Sequence, residues 1–551
     1  MAGLDPLQRL QELIHIERED IATLLAYGIG IGLMSLATPI AVQALVNTIA
    51  FGALLQPLVV LTLILLVLLG FSNTLVALQF YVVEILQRRL FVRFFGAAAR
   101  RLQSATLSCR DSLYLPELTN RFFDVVSLQK TAASLLLETL GYLLQTLIGM
   151  LLLAFYHPML LALDLFLIAA LYLVLFVMGK GGIPSAIEQS RAKYVAAAWL
   201  EGIAGNPVLG KSRLDSDFLD LQTRRIAEDY LTACVRHFRI LSRQNIGGLV
   251  LHALANTALL GMGGWMVIER QLSLGQLIAA ELVVNAMVYG LTRLGKTLDN
   301  FYELVASIDK IGYLLDLPQE HDQGSATPKG SGPVAIDIKQ LTLAESLQVD
   351  RIKQLDLQLA AGASLALSIG AERGTLLDAL YGLRAPTAGR ISIDGLDMRD
   401  LSLGELRDQI GLVRHAEVID ASIIENIALG RTLETGEIRA ALDQVGLLED
   451  ISALPDSLNT RLHGHGVPLS PEQCLRLTLA RAIAARPRLL MIDRVLDQID
   501  QQWLPRILDC LLGNSANWSL IIISHDTQVI ARCRRHAHIR DGQLVYAGER
   551  P

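Results

Sequence analysis

A turn with two glycines in the carboxy-terminal part of the chain has the position of a phosphate-binding loop. The segment LALSIGAERGTLLDAL, residues 365–380, places this turn between a strand-like apolar run and a helix-like run. A working loop of the pattern G-x-x-x-x-G-K-[ST] wraps backbone N–H groups around phosphates, reaches them with Lys, and offers a hydroxyl to Mg²⁺. Here the turn runs through Gly370, Arg373, Gly374 and Thr375, and no Lys follows it. The turn therefore predicts that this chain binds nucleotide weakly or not at all.

Four more motifs follow the turn in a fixed order. They are IGLVRHAEVIDASIIENI (410–427), LSPEQ (469–473), LRLTLARAIAARPRLLMID (475–493) and LIIISHD (520–526). Together with the turn they resemble the ATP-binding cassette of ABC transporters: the Q-loop segment, the signature, the helix and strand leading into Walker B, and the switch histidine. The order and spacing of the motifs argue against a chance match to an unrelated α/β domain.

The resemblance implies a role for each matching position. Asp493 stands where the aspartate that supports Mg²⁺ belongs, Asp500 at the D-loop position, and His525 at the switch position. Two positions depart from the family, because His415 replaces the Q-loop glutamine and Arg494 replaces the catalytic glutamate. Loss of a positioned general base alone costs ~10²–10⁴ in rate. The resemblance therefore implies little hydrolysis at this chain's own site.

Two interpretations of Arg494 are open. Its side chain could contact a phosphate, as could that of Arg373, or it could pair with Asp493 or with solvent; the second interpretation is the simpler one.

The signature motif is partly kept. Ser470 and Gln473 match the family, whereas Pro471 and Glu472 replace two glycines, which removes one backbone N–H donor and adds a negative charge. In dimers of this family, each nucleotide lies between the Walker motifs of one cassette and the signature of the other. ATP and Mg²⁺ are therefore expected only at a site that a partner completes, or at none.

Composition predicts an integral membrane protein. The chain has 551 residues, 52% hydrophobic and 19% charged, with a mean hydropathy of +0.41. Six stretches have spanning length, at about 22–49, 55–85, 133–156, 158–178, 246–268 and 275–295. Residues 1–20 form an amphipathic, interfacial segment, and residues 315–333, rich in Gly, Ser, Pro and charge, form a linker.

Basic residues give the orientation. They are concentrated between spans two and three and between spans four and five, whereas the opposite connections are short and nearly uncharged. By the positive-inside rule the long loops, both termini and the cassette are cytoplasmic. The plan resembles the half of a type IV ABC exporter related to type I secretion ATPases, in the inner membrane. We expect an α-helical six-span exporter domain (21–314), then the linker and an α/β P-loop-type cassette domain (334–551).

Two groups of residues are candidates for transport roles. By resemblance, short cytoplasmic helices carrying Leu115, Glu117, Trp199 and Leu200 would couple the spans to the cassettes; the alternative is amphipathic surface helices without that role. Ionisable residues within spans are costly and often line a polar path. Asp164 and Glu281 are therefore possible substrate-path residues, although Glu281 could lie near the membrane edge or satisfy a neighbouring helix.

Two classes of function remain open. The favoured one is a half-transporter that pairs with another half, as a hetero- or homodimer, to export a peptide, protein or other substrate, with a membrane-fusion adaptor and membrane lipids as possible partners. The alternative is a non-transporting membrane pseudo-ATPase that acts as scaffold or regulator, and a homodimer using nucleotide unconventionally is a third. Nothing suggests nucleic-acid binding, and the five scattered cysteines suggest neither a disulfide frame nor a metal site.

Overall fold

A computed structural model describes the chain except for residues 1–4, 51–54, 108, 110–114, 321, 323, 329, 345–349, 370–374, 514–515, 541–542 and 550–551. At some further positions inside helices and strands only the backbone is described. The chain divides into two compact units. The first comprises Met1–Ser104 and Tyr114–Leu317, and the second comprises Ala105–Leu113 and Pro318–Pro551.

The first unit is helical. Its helices are α1 (Pro6–Ile16), α2 (Arg18–Ser35), α3 (Ala37–Ala50), α4 (Leu55–Gln103), α5 (Leu115–Asn120), α6 (Asp124–Ser134), α7 (Leu140–Tyr156), α8 (Pro158–Tyr172), α9 (Gly182–Ala204), α10 (Arg213–Ile268), α11 (Leu274–Thr292) and α12 (Leu294–Leu315). Two π-helical segments, Leu135–Thr139 and Leu173–Val177, continue the helical chain beside α7 and α8.

Six helical stretches of the described residues are long and apolar enough to cross a membrane, as the sequence predicts. They are Arg18–Thr48, Leu58–Gln103, Leu118–Tyr156, Pro158–Ala204, Arg213–Ile268 and Leu274–Thr292. Helix α10 has 56 residues and is therefore about 84 Å long, whereas the hydrocarbon core is about 30 Å thick. This helix must extend far beyond the bilayer, which accounts for the long, charged loops in the sequence.

The membrane unit packs through leucines and small residues. Leu160, Leu163 and Leu167 of α8 are buried in one cluster with Leu259 of α10. At Gly149 of α7 an added Cβ would lie 2.9 Å from Met287. Lipid supplies no hydrophobic drive to bring helices together, so membrane helices associate through close packing. Small residues permit that close approach.

The second unit contains two sheets. The strands are β1 (Ile336–Ala344), β2 (Asp350–Leu359), β3 (Ser364–Ile369), β4 (Ala388–Ile393), β5 (Leu396–Asp397), β6 (Ile410–Val413), β7 (Leu489–Asp493), β8 (Ser519–Ile523), β9 (Arg535–Arg540) and β10 (Gln543–Glu549). The first sheet is antiparallel, in the order β2-β1-β4-β5, and the second has the order β10-β9-β3-β8-β7-β6.

Strands β9, β3, β8, β7 and β6 run parallel, and β10 pairs antiparallel with β9. Every residue of β7 and β8 is buried, as is typical of a parallel sheet that is covered on both faces. The continuous apolar runs LLMI and LIII suit that burial. The helices of this unit are α13 (Thr375–Leu380), α14 (Leu403–Asp408), α15 (Ile423–Ala428), α16 (Thr435–Gln444), α17 (Leu448–Ser452), α18 (Pro471–Ala484), α19 (Leu504–Leu512) and α20 (Thr527–Arg532).

The predicted linker is bound along the cassette. The boundary between the two units falls between Leu317 and Pro318. Beyond it, Glu320 forms a two-point ion pair with Arg407, at 2.6 and 3.1 Å, and Asp322 accepts a hydrogen bond from the Leu403 N–H at 3.0 Å. Segment 318–333 is thus an ordered part of the cassette unit where it is described, despite its Gly, Ser and Pro content.

Candidate functional site

The predicted phosphate loop lies outside the described residues. Gly370, Arg373 and Gly374 are not described, and of Thr375 only the backbone, as the first residue of α13, is described. Their roles remain predictions. The described candidate residues lie at the carboxyl ends of the parallel strands, where open α/β sheets bind ligands.

Asp493 ends β7 and its carboxylate is held by an arginine. Arg414, which follows β6, donates from Nε to Asp493 Oδ2 at 2.9 Å. The same guanidinium places Nη1 2.7 Å from Oδ1 of Asp378 on α13, as an ion pair without hydrogen-bond alignment. The other oxygen of Asp378, Oδ2, accepts from Arg384 Nε at 3.0 Å. Two carboxylates and two guanidinium groups thus form one balanced cluster, which we name the Arg414 cluster.

Sequence reasoning missed Arg414 and Asp378. A signal was available for each. Asp378 is a lone carboxylate in the apolar run TLLDAL, and Arg414 directly precedes His415 in the Q-loop segment. Their meeting at Asp493 depends on the parallel register of β6 and β7, which pairs Val413 with Ile492.

Arg494 occupies an unusual backbone position. Its φ is +58°, in the left-handed region that residues other than glycine rarely adopt. Its backbone N–H donates to the Ile523 carbonyl at 2.8 Å. Its Nε lies 3.8 Å from Asp497 Oδ2. The structure therefore pairs Asp493 with Arg414 rather than with Arg494, and Arg494 instead lies beside Asp497, with about a third of its side chain exposed.

The other predicted catalytic positions lie on the surface near this edge. Exposed His415 places Nε2 3.3 Å from Glu417 Oε1. Exposed His525 follows β8, and its backbone N–H donates to Asp497 Oδ2 at 3.3 Å. Asp500 accepts from the Gln502 N–H at 3.0 Å, as a local turn contact.

The charges around Asp493 bear on whether the site could hold a magnesium nucleotide. The carboxylate that would support the metal is paired with Arg414, and a cation stands where the family's base belongs. No group of three or more His, Cys, Asp or Glu that could hold a metal occurs among the residues with described side chains.

The signature residues cap a helix. Ser470 is the N-cap of α18: its Oγ accepts from the Gln473 N–H at 3.2 Å, and Gln473 Oε1 accepts from the Ser470 N–H at 2.8 Å. This reciprocal capping box satisfies two donors at the helix start. Glu472 is held by buried Arg476 one turn later, at 2.9 Å, and the same guanidinium lies 3.3 Å from Asp450.

The predicted coupling residues are described in part. Helix α5 begins at Leu115, but the side chains of Leu115 and Glu117 lie outside the described part of the chain. Trp199 of α9 donates from Nε1 to Thr223 Oγ1 of α10 at 2.9 Å, and Leu200 is 62% exposed. A coupling role for the four residues stays a prediction.

The two predicted path residues differ in environment. Asp164 is 2% exposed, and neither carboxylate oxygen has a hydrogen-bond partner among the described residues. Glu281 is exposed on α11, in line with exposed Asn285 and Tyr289, whereas Val284 and Val288 face the unit's core. In the single chain, Asp164 is enclosed by its own helices, and Glu281 belongs to a polar face.

Comparison with known proteins agrees with this architecture. The family model for ABC transporters matches residues 352–496. The chain is 28% identical over 360 residues to an ATP-dependent lipid A-core flippase of Acinetobacter baylyi, which covers 63% of this chain and 61% of the relative. It is 27% identical over 296 residues to the leukotoxin export ATP-binding protein LtxB of Aggregatibacter actinomycetemcomitans, covering 53% and 42%. These matches span less than two thirds of each relative's length.

A solved structure extends the likeness to nearly the whole chain. A bacterial Atm1-family ABC exporter with ATP bound superposes with a TM-score of 0.83 at 19% identity, over 96% of this chain and 95% of that chain. The predicted fold class, six membrane helices followed by an α/β cassette, is confirmed. The fold is that of an exporter-type half of an ABC transporter.

Proposed function

We propose that this chain is a half-transporter subunit of an ABC exporter, and that it brings a non-hydrolysing cassette to a dimer with a catalytically competent half. The observation that carries the proposal is the combination of an exporter fold with Asp493 paired to Arg414. The fold supports a mechanical role, because five of the six spans have 31 to 56 residues and are therefore longer than the ~20 residues that a bilayer requires. The pairing supports loss of chemistry at the chain's own site.

Hydrolysis at this site lacks its usual groups. Arg494 cannot accept a proton from an attacking water, because a guanidinium remains protonated in proteins. Removing a general base costs ~10²–10⁴ in rate. The loop residues 370–375 also lack the Lys that would hold the terminal phosphates.

The signature residues of this chain support the proposal that it completes the nucleotide site of a partner. Ser470 Oγ uses an acceptor position for the Gln473 N–H and keeps its own O–H as a donor. Arg476 offsets part of the negative charge of Glu472, although the same guanidinium also lies 3.3 Å from Asp450. The helix dipole at the start of the 14-residue helix α18 still favours an anion there.

The transport path is proposed to run along α11. A carboxylate that faces lipid is costly, so the polar face formed by Glu281, Asn285 and Tyr289 favours a water-filled path or a second subunit. Relatives that carry names for lipid A-core and leukotoxin export suggest an amphipathic lipid, a peptide or a protein as substrate. We further propose an inner-membrane location with termini and cassette in the cytoplasm, and an adaptor protein for a proteinaceous substrate.

A second candidate is a membrane pseudo-ATPase that serves as scaffold or regulator. The Arg414 cluster and Arg494 favour it equally, because both are compatible with a cassette that never uses nucleotide. The partner distinguishes the two candidates.

Purification of the tagged chain from its own host in mild detergent tests the proposal. A second half-transporter with an intact phosphate loop and catalytic glutamate is expected in near-equal amount. Recovery of the chain alone as an inactive homodimer would instead favour the scaffold.

A further inference from the structure

We propose that the guanidinium of Arg414 is a permanent internal cation that takes the place of a metal between Asp378 and Asp493. This inference rests on the proposed function and adds a specific role: the cassette keeps its fold at this edge without Mg²⁺. The two carboxylates come from different parts of the unit, α13 and the end of β7, and both contact the same side chain.

Burial makes the cation necessary. The side chains of Asp378 and Asp493 are only 6% and 9% exposed. Two like charges drawn from water into a shared site repel strongly, and they need either protons or a cation between them. A divalent metal bridging oxygens from two strands or helices is one solution, and a guanidinium that spreads its charge over several donors is another.

The geometry favours the guanidinium. Arg414 contacts each carboxylate through a different nitrogen, Nε to Asp493 at 2.9 Å and Nη1 to Asp378 at 2.7 Å. Arg384 takes the second oxygen of Asp378, so the Arg414 cluster has two positive and two negative groups. Counted over the described residues, this cluster has no net charge to attract a divalent cation, and it joins α13 to β7 without a metal.

The test uses the full-length chain in detergent without nucleotide. Hydrogen exchange of the amides of β7 and α13 is followed in EDTA and in excess Mg²⁺, and Mn²⁺ binding is followed by electron paramagnetic resonance. The wild type should exchange at the same rate in both solutions. Arg414→Gln should raise the exchange rate in EDTA by about tenfold or more, because the two carboxylates lose their shared cation.

Two further expectations test whether Arg414 occupies a position that a metal could take. Arg414→Gln should gain one Mn²⁺ site per chain, and added Mg²⁺ should slow its exchange. Arg414→Gln/Asp378→Asn removes one charge of each sign, so it should exchange more slowly than the single variant and bind no Mn²⁺. The matched control is Arg506→Gln, which breaks an exposed ion pair with Asp443 and should leave exchange in β7 unchanged.

Three results would overturn the inference: Mg²⁺-dependent exchange in the wild type, wild-type exchange in Arg414→Gln, or no Mn²⁺ site in Arg414→Gln. If the single variant does not fold, the double variant decides, because it should fold and a failure to fold contradicts the charge argument. The proposed function can fail separately, since ATPase activity of the lone chain would contradict that function and leave the Mg²⁺ result untouched.

Discussion

Single residues decide what the cassette can do, and Arg494 is the most direct example. It replaces a base by a cation, adopts φ +58°, and lies beside Asp497 rather than Asp493. Under the proposed function, a glutamate at position 494 would restore only one of the missing groups, since the loop lacks Lys and Asp493 stays paired with Arg414.

We therefore predict that Arg494→Glu gives the purified chain no ATPase activity above background. Phosphate release measures the outcome, and Arg494→Gln serves as the variant matched in size. Turnover in the Glu variant that is absent from the Gln variant would show that the lone site binds MgATP productively.

A histidine pair on β9 is expected to make the stability of the cassette depend on pH. Burial, and then the neighbouring His538, lower the pKa of His536 below its ordinary value of 6.5, and His536 Nε2 lies 3.0 Å from Ser368 Oγ. A lowered pKa means that the unfolded chain takes up the proton first. The stabilisation is thus present above pH 6.5 and is lost as pH falls through the pKa of the folded state.

His536→Gln should therefore weaken the pH dependence of cassette stability between pH 7.5 and pH 5. Denaturant unfolding monitored by tryptophan fluorescence measures it, because Trp503 and Trp518 lie in the cassette. The exposed His463→Gln variant is the control and should keep the wild-type profile. An unchanged profile in His536→Gln would contradict the assignment.

At the scale of elements, the start of α18 depends on its capping box. Ser470→Ala removes the acceptor for the Gln473 N–H and should destabilise the helix by ~1 kcal/mol. Hydrogen exchange across residues 471–478 measures the local free energy of opening. Ser452→Ala, which removes a hydroxyl from an exposed position in α17, should change it little; equal effects of the two variants would argue against the cap.

The polar face of α11 gives a second prediction at this scale. In a cysteine-free version of the chain, Asn285→Cys should react with a charged, membrane-impermeant maleimide when the complex is in membranes opened to both sides. Leu66→Cys, on an apolar and 69% exposed face of α4, should not react, because it faces lipid. Equal protection of the two cysteines would exclude a water-filled path at α11.

These elements also show how far sequence patterns reach. The spans and the buried strands β7 and β8 are predictable because their apolar runs are continuous and of fitting length. The Arg414 cluster is not, because it joins residues far apart in sequence through strand register. Whether the linker is held against the cassette depends on specific partners such as Arg407. Composition alone predicts only a flexible segment. Which side of its helix Asp164 or Glu281 faces likewise follows from packing and not from residue type.

For the whole molecule, we propose that an exporter fold carries a cassette that needs another subunit for its chemistry. The long helices belong to an exporter fold, and Asp493 is paired with Arg414. We propose that this fold still transmits motion although its own site has lost its chemistry, because one half of a dimer can supply the energy while both halves form the path.

The most direct test is the ATPase activity of the chain alone and of the complex that co-purifies with it. We predict background activity for the chain alone, clear activity for the complex, and loss of that activity when the phosphate-loop lysine of the partner is replaced. Arg494→Gln in this chain should leave the activity of the complex in place. An active homodimer of this chain, free of any other cassette, would contradict the account.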